Sequence, residues 1–342
     1  MKTTLLTLAA AAGSAMAGTV SLAGVNIAGL EFGTSTDGSC TTTSATDPGD
    51  DGIAQMQHFA NDDGLNTFRL PVSWQYLLNN NLGGTLDATN FAAYDKLVQG
   101  CLKTTAKMCI IDLHNYARWN GQIVGQGGPS NTEFASVWSQ IATKYKHNPK
   151  VAFGLMNEPH DVDITKWAET VQAGVTAIRK AGAYHPTHKI LLPGNEWTHV
   201  AGFIDNGSPA ALANITNVDG TKHNLIFDVH TYLDSDGSGT HTSCTTNNAD
   251  AFKTLGEWLR TNNRKAILTE TGGGATDSSC LTMLCEQFDT MNSYSDVYLG
   301  WVTWAAGKFE TSYVLSETPT LSGSTWTDQE LVKKCIVGKF KN

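Results

Sequence analysis

The stretch Val151-Ala152-Phe153-Gly154-Leu155-Met156-Asn157-Glu158-Pro159-His160 decides how the rest of the chain is read. The apolar run from Val151 to Met156 has the form of a strand buried on both faces. It delivers an amide, Asn157, and a carboxylate, Glu158, into a turn. Pro159 stops the strand, because proline has no N–H for the ladder, and it biases Glu158 toward an extended backbone. A carboxylate at the end of a buried strand is costly unless something there uses it. Taken alone, Glu158 also reads as the first acidic residue of a surface loop. The other strands decide between the two.

Working outward, the same pattern recurs. Short apolar, β-branched runs occupy residues 22–28, 66–72, 108–114, 151–157, 189–193, 225–232, 266–270 and 298–304, and helical patterns lie between them. Phe134, Val137, Trp138, Ile141 and Tyr145 share one helical face, as do Ile164, Trp167, Ala168, Val171, Val175 and Ile178. Phe252, Leu255 and Leu259 form a shorter stripe. The fifth run has the poorest following helix, near 199–206. Thr327-Asp328-Gln329-Glu330 has the form of a capping box before a last helix. Eight strand–helix repeats predict an α/β fold, a single (β/α)8 TIM barrel. A doubly wound sheet is the structural rival. Its nucleotide-binding form needs G-x-G-x-x-G after an early strand, and Gly29-Leu30-Glu31-Phe32-Gly33 lacks that spacing.

In such a barrel, chemistry gathers at the C-terminal strand ends. Those ends carry Arg69, Asp112 and His114, Asn157 and Glu158, Asp228 with His230 and Tyr232, Glu270, and Trp304. Each has a structural reading alone: an arginine pairs a buried acid, a histidine fills a core position. Their coincidence at one end of successive strands favours a site. Residues two apart share a strand face, so Asp228, His230 and Tyr232 point together, as do Asp112 and His114. Two carboxylates on different strands, Glu158 and Glu270, fit glycoside hydrolysis, in which one carboxyl protonates the leaving oxygen and the other attacks or activates water. The charge on Glu270 is expected to raise the proton affinity of Glu158, and Arg69 and Tyr232 to hold Glu270 ionised. Trp138, Trp167 and Trp258 belong to helix stripes. Trp74, Trp119, Trp197 and Trp304 follow or end strands and are expected to rim the mouth, where aromatic faces suit sugar rings, unless they plug the barrel top. Asp112-x-His114 and Asp228-x-His230 offer metal-ligand chemistry, but no His-Glu-x-x-His or zinc-type cysteine spacing occurs, so no metal or cofactor is expected. The glycines 272–274 have no lysine or arginine beside them for a phosphate.

The chain has 342 residues, 41% hydrophobic and 16% charged, with a net charge of −9. That balance disfavours nucleic acid and anionic membranes as partners. Lys2, the apolar residues 5–12 and Ala15-Met16-Ala17 read as a signal peptide over residues 1–17, leaving 18–342 as one secreted, extracellular, soluble domain, expected to be a monomer. Seven cysteines in an exported chain predict disulfides and an odd thiol. Asn206-Gly207-Ser208 and Asn214-Ile215-Thr216 are glycosylation sequons.

Together, Phe68-Arg69-Leu70-Pro71, Asp112-Leu113-His114-Asn115-Tyr116, Gly154 to Pro159, Asp228-Val229-His230-Thr231-Tyr232 and Leu268-Thr269-Glu270-Thr271-Gly272 resemble glycoside hydrolase family 5, most closely its secreted fungal endo-β-1,4-glucanases. The resemblance runs from about Ala23 onward. It implies a retaining endo-β-1,4-glucanase acting on β-glucan. By position, Glu158 is then the acid/base, Glu270 the nucleophile, Asn157 a ligand of the sugar 2-hydroxyl, and Arg69 and Tyr232 the holders of Glu270. His114 and His230 line the same subsite over a Trp304 floor, and a cis bond is expected at Trp304–Ala305. The resemblance also implies bridges Cys101–Cys109, Cys244–Cys280 and Cys285–Cys335. Cys40 is left free because its partner position holds Thr34. No cellulose-binding module is expected. A mannanase or mixed-linkage glucanase on the same scaffold is the nearest alternative, and a catalytically silent sugar-binding protein the alternative from another class.

Overall fold

A computed structural model describes residues 18–341 apart from residue 185. The expected leader, residues 1–17, lies outside the described residues. Eight parallel strands close a barrel: β1 (Leu22–Ala28), β2 (Thr67–Val72), β3 (Met108–Leu113), β4 (Val151–Gly154), β5 (Ile190–Pro193), β6 (Leu225–His230), β7 (Ala266–Glu270) and β8 (Tyr298–Gly307). Each strand pairs with its neighbours in sequence, and β8 pairs back onto β1. Helices α1 (Gly49–Asn61), α2 (Trp74–Leu78), α3 (Ala88–Lys103), α4 (Asn131–Tyr145), α5 (Ile164–Lys180), α6 (Ser208–Leu212), α7 (Ala249–Thr261) and α8 (Ser278–Asn292) surround it.

The strands read as continuous apolar runs because both faces are covered. Inside the barrel, Leu22, Met108, Ile110, Ala152, Leu191, Ile226, Ile267 and Val302 form one small cluster contributed by seven of the eight strands. This plug fills the lower barrel, so it is not a pore. A much larger apolar cluster lies between strands and helices. Gly24 is needed where β1 meets β2, since a Cβ there would sit 1.5 Å from the Thr67 carbonyl oxygen. Above the apolar plug the interior turns polar: Asn26 pairs in register with Arg69, Pro193 with Asp228 and His230 with Glu270.

Helix tryptophans brace the strand ends. Trp138 on α4 donates its indole N–H to the Leu155 carbonyl, 3.2 Å, and Trp167 on α5 donates to Pro193, 2.9 Å. Ladder bonding also outlasts β4. Leu155 N–H reaches the Leu191 oxygen and Asn157 N–H the Leu113 oxygen, so the segment that carries Glu158 is tied on both sides. At the opposite end of the barrel, Asn292 accepts from Val20 N–H and donates to the Lys339 carbonyl.

Three expectations change. The helix expected near 199–206 is replaced by two short 3-10 turns followed by α6, because Glu196, Trp197 and Thr198 all adopt positive φ. The capping box at Thr327–Glu330 does not form. Thr327 ends a small hairpin (Thr320–Ser322 with Thr325–Thr327), and Glu330 pairs with Lys334. Pro159 does not hold Glu158 extended: Glu158 has φ 42°. Disulfides join Cys101–Cys109, Cys244–Cys280 and Cys285–Cys335. Cys40 is a free thiol beside Thr34, whose hydroxyl lies 3.4 Å from the sulfur.

Candidate active site

The C-terminal strand ends surround a cleft of about 730 Å³ lined by His114, Tyr116, Glu158, Tyr232, Glu270 and Trp304, with Trp197 at its edge. One oxygen of Glu158, one of Glu270 and a ring nitrogen of His230 all lie within 4.8 Å of one another. That is the short separation of a carboxyl pair in which one attacks directly, since the inverting arrangement leaves about 6.5–9.5 Å for a water.

The two carboxyls have different surroundings. Glu270 is 5% exposed. It accepts from Arg69 Nη1 at 2.9 Å and from the Tyr232 hydroxyl at 2.5 Å. Burial and the Glu270 charge hold the Tyr232 phenol well above its usual pKa, so it stays a donor. Arg69, 1% exposed, also donates to Asn26 Oδ1 at 3.0 Å and Asn157 Oδ1 at 2.7 Å, and its Nη2 lies 3.0 Å from Asp112. Asn26 in turn donates to the carbonyls of Thr269 and Thr303. One guanidinium therefore ties β1, β2, β3, β7 and the segment following β4 together beneath the cleft.

Glu158 has no such donor set. Burial pushes its carboxyl up to about 7, against the opposing pulls of His114 and Arg69. Burial, rather than the charge on Glu270 expected from sequence, is the leading cause. Its Oε1 lies 2.8 Å from His230 Nδ1. His230 Nε2 is 2.9 Å from Thr269 Oγ1, which bonds Asp228 Oδ1 at 2.5 Å. Burial pulls His230 below its usual pKa, so this chain is built on a neutral imidazole. Burial also pushes Asp228 up to about 6.

The chain matches the cellulase family, glycosyl hydrolase family 5, over residues 25–307. It belongs to that family. It is 57% identical over 330 residues to Endoglucanase EG-II of Hypocrea jecorina, covering 94% of this chain and 78% of that one. It is 46% identical over 313 residues to a protein called manganese dependent endoglucanase Eg5A in Phanerodontia chrysosporium, covering 90% of this chain and 78% of the relative. The crystal structure of Cel5A (EG2) from Hypocrea jecorina superposes with a TM-score of 0.91 at 58% identity, covering 93% of this chain and 98% of that one.

In this family 5 chain the cleft brings together Arg69, His114, Asn157, Glu158, His230, Tyr232, Glu270 and Trp304. Trp304 stacks on His114 at 5.4 Å and 20° and is followed by a cis peptide to Ala305. Asp112 holds His114 Nδ1 at 2.8 Å. Asn157 Nδ2 is buried without a hydrogen-bond partner. Trp197 is 36% exposed and stacks on His160 at 3.9 Å. Trp74 and Trp119 are corrections. Trp74 is fully buried and packs edge-on against Trp119 and Phe134, and neither tryptophan lines the cleft. The sequence places them after strands, but β2 ends at Val72 and Trp74 starts α2, whose inner face is core. Thr269, Tyr116 and the 236–240 loop were not singled out from sequence. Alternation hid Thr269 beside Glu270; the register shift between β6 and β7 sets Glu270 opposite His230, while Thr269 Oγ1 stays 2.9 Å from His230 Nε2.

Proposed function

We propose that this cleft hydrolyses internal β-1,4-glucosidic bonds of a glucan chain by double displacement, with Glu270 as nucleophile and Glu158 as acid/base. The short distance between two carboxyls in unlike surroundings carries the reading. In the first step a Glu270 oxygen attacks the anomeric carbon while Glu158 protonates the departing glycosidic oxygen. In the second, Glu158 takes a proton from the incoming water, which displaces Glu270. The Asn157 amide and Arg69 align the attacked ring and the attacking oxygen, and Trp304 floors it.

The hydrogen-bond chain behind Glu158 supports its acid form. The Thr269 hydroxyl donates to Asp228, neutral His230 donates from Nε2 to Thr269, and its bare Nδ1 accepts the Glu158 carboxyl proton, so the imidazole stays uncharged.

The reaction runs on carboxyl groups alone, so chelator leaves hydrolysis in place. Residues 1–17 direct export, in keeping with three disulfides, and residues 18–342 act as a monomeric catalytic domain. No helix among the described residues is long and apolar enough to cross a membrane. Of the two sequons, Asn214 is the better glycan site because it is exposed. Asn206 has its amide in a turn, and its Ser208 is buried.

The test is product analysis on carboxymethylcellulose, mixed-linkage glucan and mannan, with viscosity followed in parallel. Rapid viscosity loss on carboxymethylcellulose, abolished in Glu270→Ala, is expected. Faster cleavage of mannan would move the substrate assignment, and unchanged hydrolysis in Glu270→Ala would overturn the mechanism.

A further inference from the structure

A second cluster lies away from the cleft, where the end of α1 meets the segment following the Thr325–Thr327 strand. His58 on α1 is 6% exposed, and its ring is stacked at 13° on Trp326. Its Nδ1 is bonded to Asp62 at 2.7 Å. Its Nε2 faces two further carboxylates, Asp328 Oδ1 at 2.8 Å and Asp63 Oδ2 at 3.5 Å. We propose that His58 Nε2, Asp63 and Asp328 form a binding site for one divalent transition-metal ion of the zinc or manganese class, which fastens the C-terminal segment to α1.

Four observations carry the assignment. The donor set is one imidazole and two carboxylates, which suits zinc or manganese, whereas calcium takes all-oxygen sites. The three donor atoms lie within 4.8 Å of one another. Two of the edges are 2.8 and 3.5 Å, close to the roughly 3.0–3.4 Å separating neighbouring donors around an ion bound at about 2.1 Å. The Asp62 bond at Nδ1 is the outer carboxylate–histidine contact that fixes a ligating imidazole, leaving Nε2 for the metal. Finally, Asp63 Oδ2 is closed off from solvent yet has no hydrogen-bond partner. A buried carboxylate oxygen without a donor is a cost that a cation at this point removes. Three carboxylates surround this one ring, so a proton on it leaves the cluster more negative than a divalent ion does. None of the three donors lines the catalytic cleft, so the site acts on the hold between the two chain segments and not on bond cleavage.

The trio Glu158, His230 and Glu270 has similar donor spacing, so the test must locate the ion as well as count it. Full-length protein is stripped with EDTA, dialysed and titrated with Mn²⁺, free metal being read from its electron paramagnetic resonance signal. Thermal melts are run with and without Zn²⁺, and anomalous difference density is collected from a wild-type crystal soaked in Mn²⁺. Saturable binding of one ion, a melting midpoint raised by metal, and a peak between His58, Asp63 and Asp328 are expected. Asp63→Asn and Asp328→Asn should weaken that binding at least tenfold while hydrolysis persists. Absence of binding at millimolar metal, unchanged binding in both variants, or a peak only at the catalytic trio would each overturn the proposal. The crystal soak needs no variant, so it decides the matter even if neither substitution folds.

Discussion

Glu158→Gln separates the cost of keeping a proton on the acid/base from its use. The Glu158 carboxyl sits at about 7 in the folded chain against an ordinary value of 4.5. At about 1.36 kcal/mol per pH unit, that gap corresponds to roughly 3 kcal/mol. The sign follows from proton binding. Below pH 4.5 both folded and unfolded chains hold the proton, and nothing is lost. Between 4.5 and about 7 the unfolded chain releases it while the folded chain keeps it, so wild-type stability falls as pH rises. Glutamine cannot ionise, and its amide N–H₂ can still donate to His230 Nδ1. The stability of Glu158→Gln relative to wild type should therefore climb by roughly 3 kcal/mol between pH 4 and pH 8, even as hydrolysis drops by about 10²–10⁴-fold. Urea unfolding with disulfides intact, repeated across that pH range on both proteins, measures the difference directly, and groups common to both cancel. Parallel stability curves would show that Glu158 titrates alike in folded and unfolded chains, and the acid role assigned to it from burial would fail.

Thr269→Val removes the link between His230 and Asp228, a hydrogen bond worth about 1–1.5 kcal/mol, so kcat should fall about tenfold with KM little changed; a variant with normal kcat would rule out the chain of bonds as a support for Glu158. Trp74→Ala should destabilise the fold by about 3–5 kcal/mol in urea, whereas Trp197→Ala should leave the melting midpoint in place and raise KM on oligosaccharides. Reversal of those two results would return Trp74 to the substrate surface. Thiol reagent added to native protein should modify Cys40 alone, and labelling of two or more cysteines by mass spectrometry would refute the disulfide set.

The barrel was legible because its evidence is periodic. Eight apolar runs recur at spacings that leave room for a helix, and both carboxylates fall at strand ends. What was hidden depends on which atoms meet. Trp74 and Trp304 occupy similar places in sequence, yet one is sealed under Trp119 and the other faces the cleft, a difference set by where α2 begins. Thr269 is unremarkable in a strand until its hydroxyl is seen 2.9 Å from His230 Nε2. Glu158 looked extended before Pro159, but tertiary contacts to His230 outweigh that local preference and give it a positive φ. The motif at Thr327–Glu330 has the letters of a cap, but the hairpin takes Thr327, and Asp328 turns to His58.

Asn292, which holds Val20 through its side-chain oxygen and Lys339 through its nitrogen, brings the start and finish of the folded chain to one point on the face opposite the cleft. The molecule is thus close to a ring in its connectivity as well as in its sheet. A short linker joining the two ends, with new termini opened in a surface loop, should give a circular permutant that still cleaves glucan. Any partner domain fused at either end would hang from the underside and leave the path of a long polysaccharide across the top unobstructed.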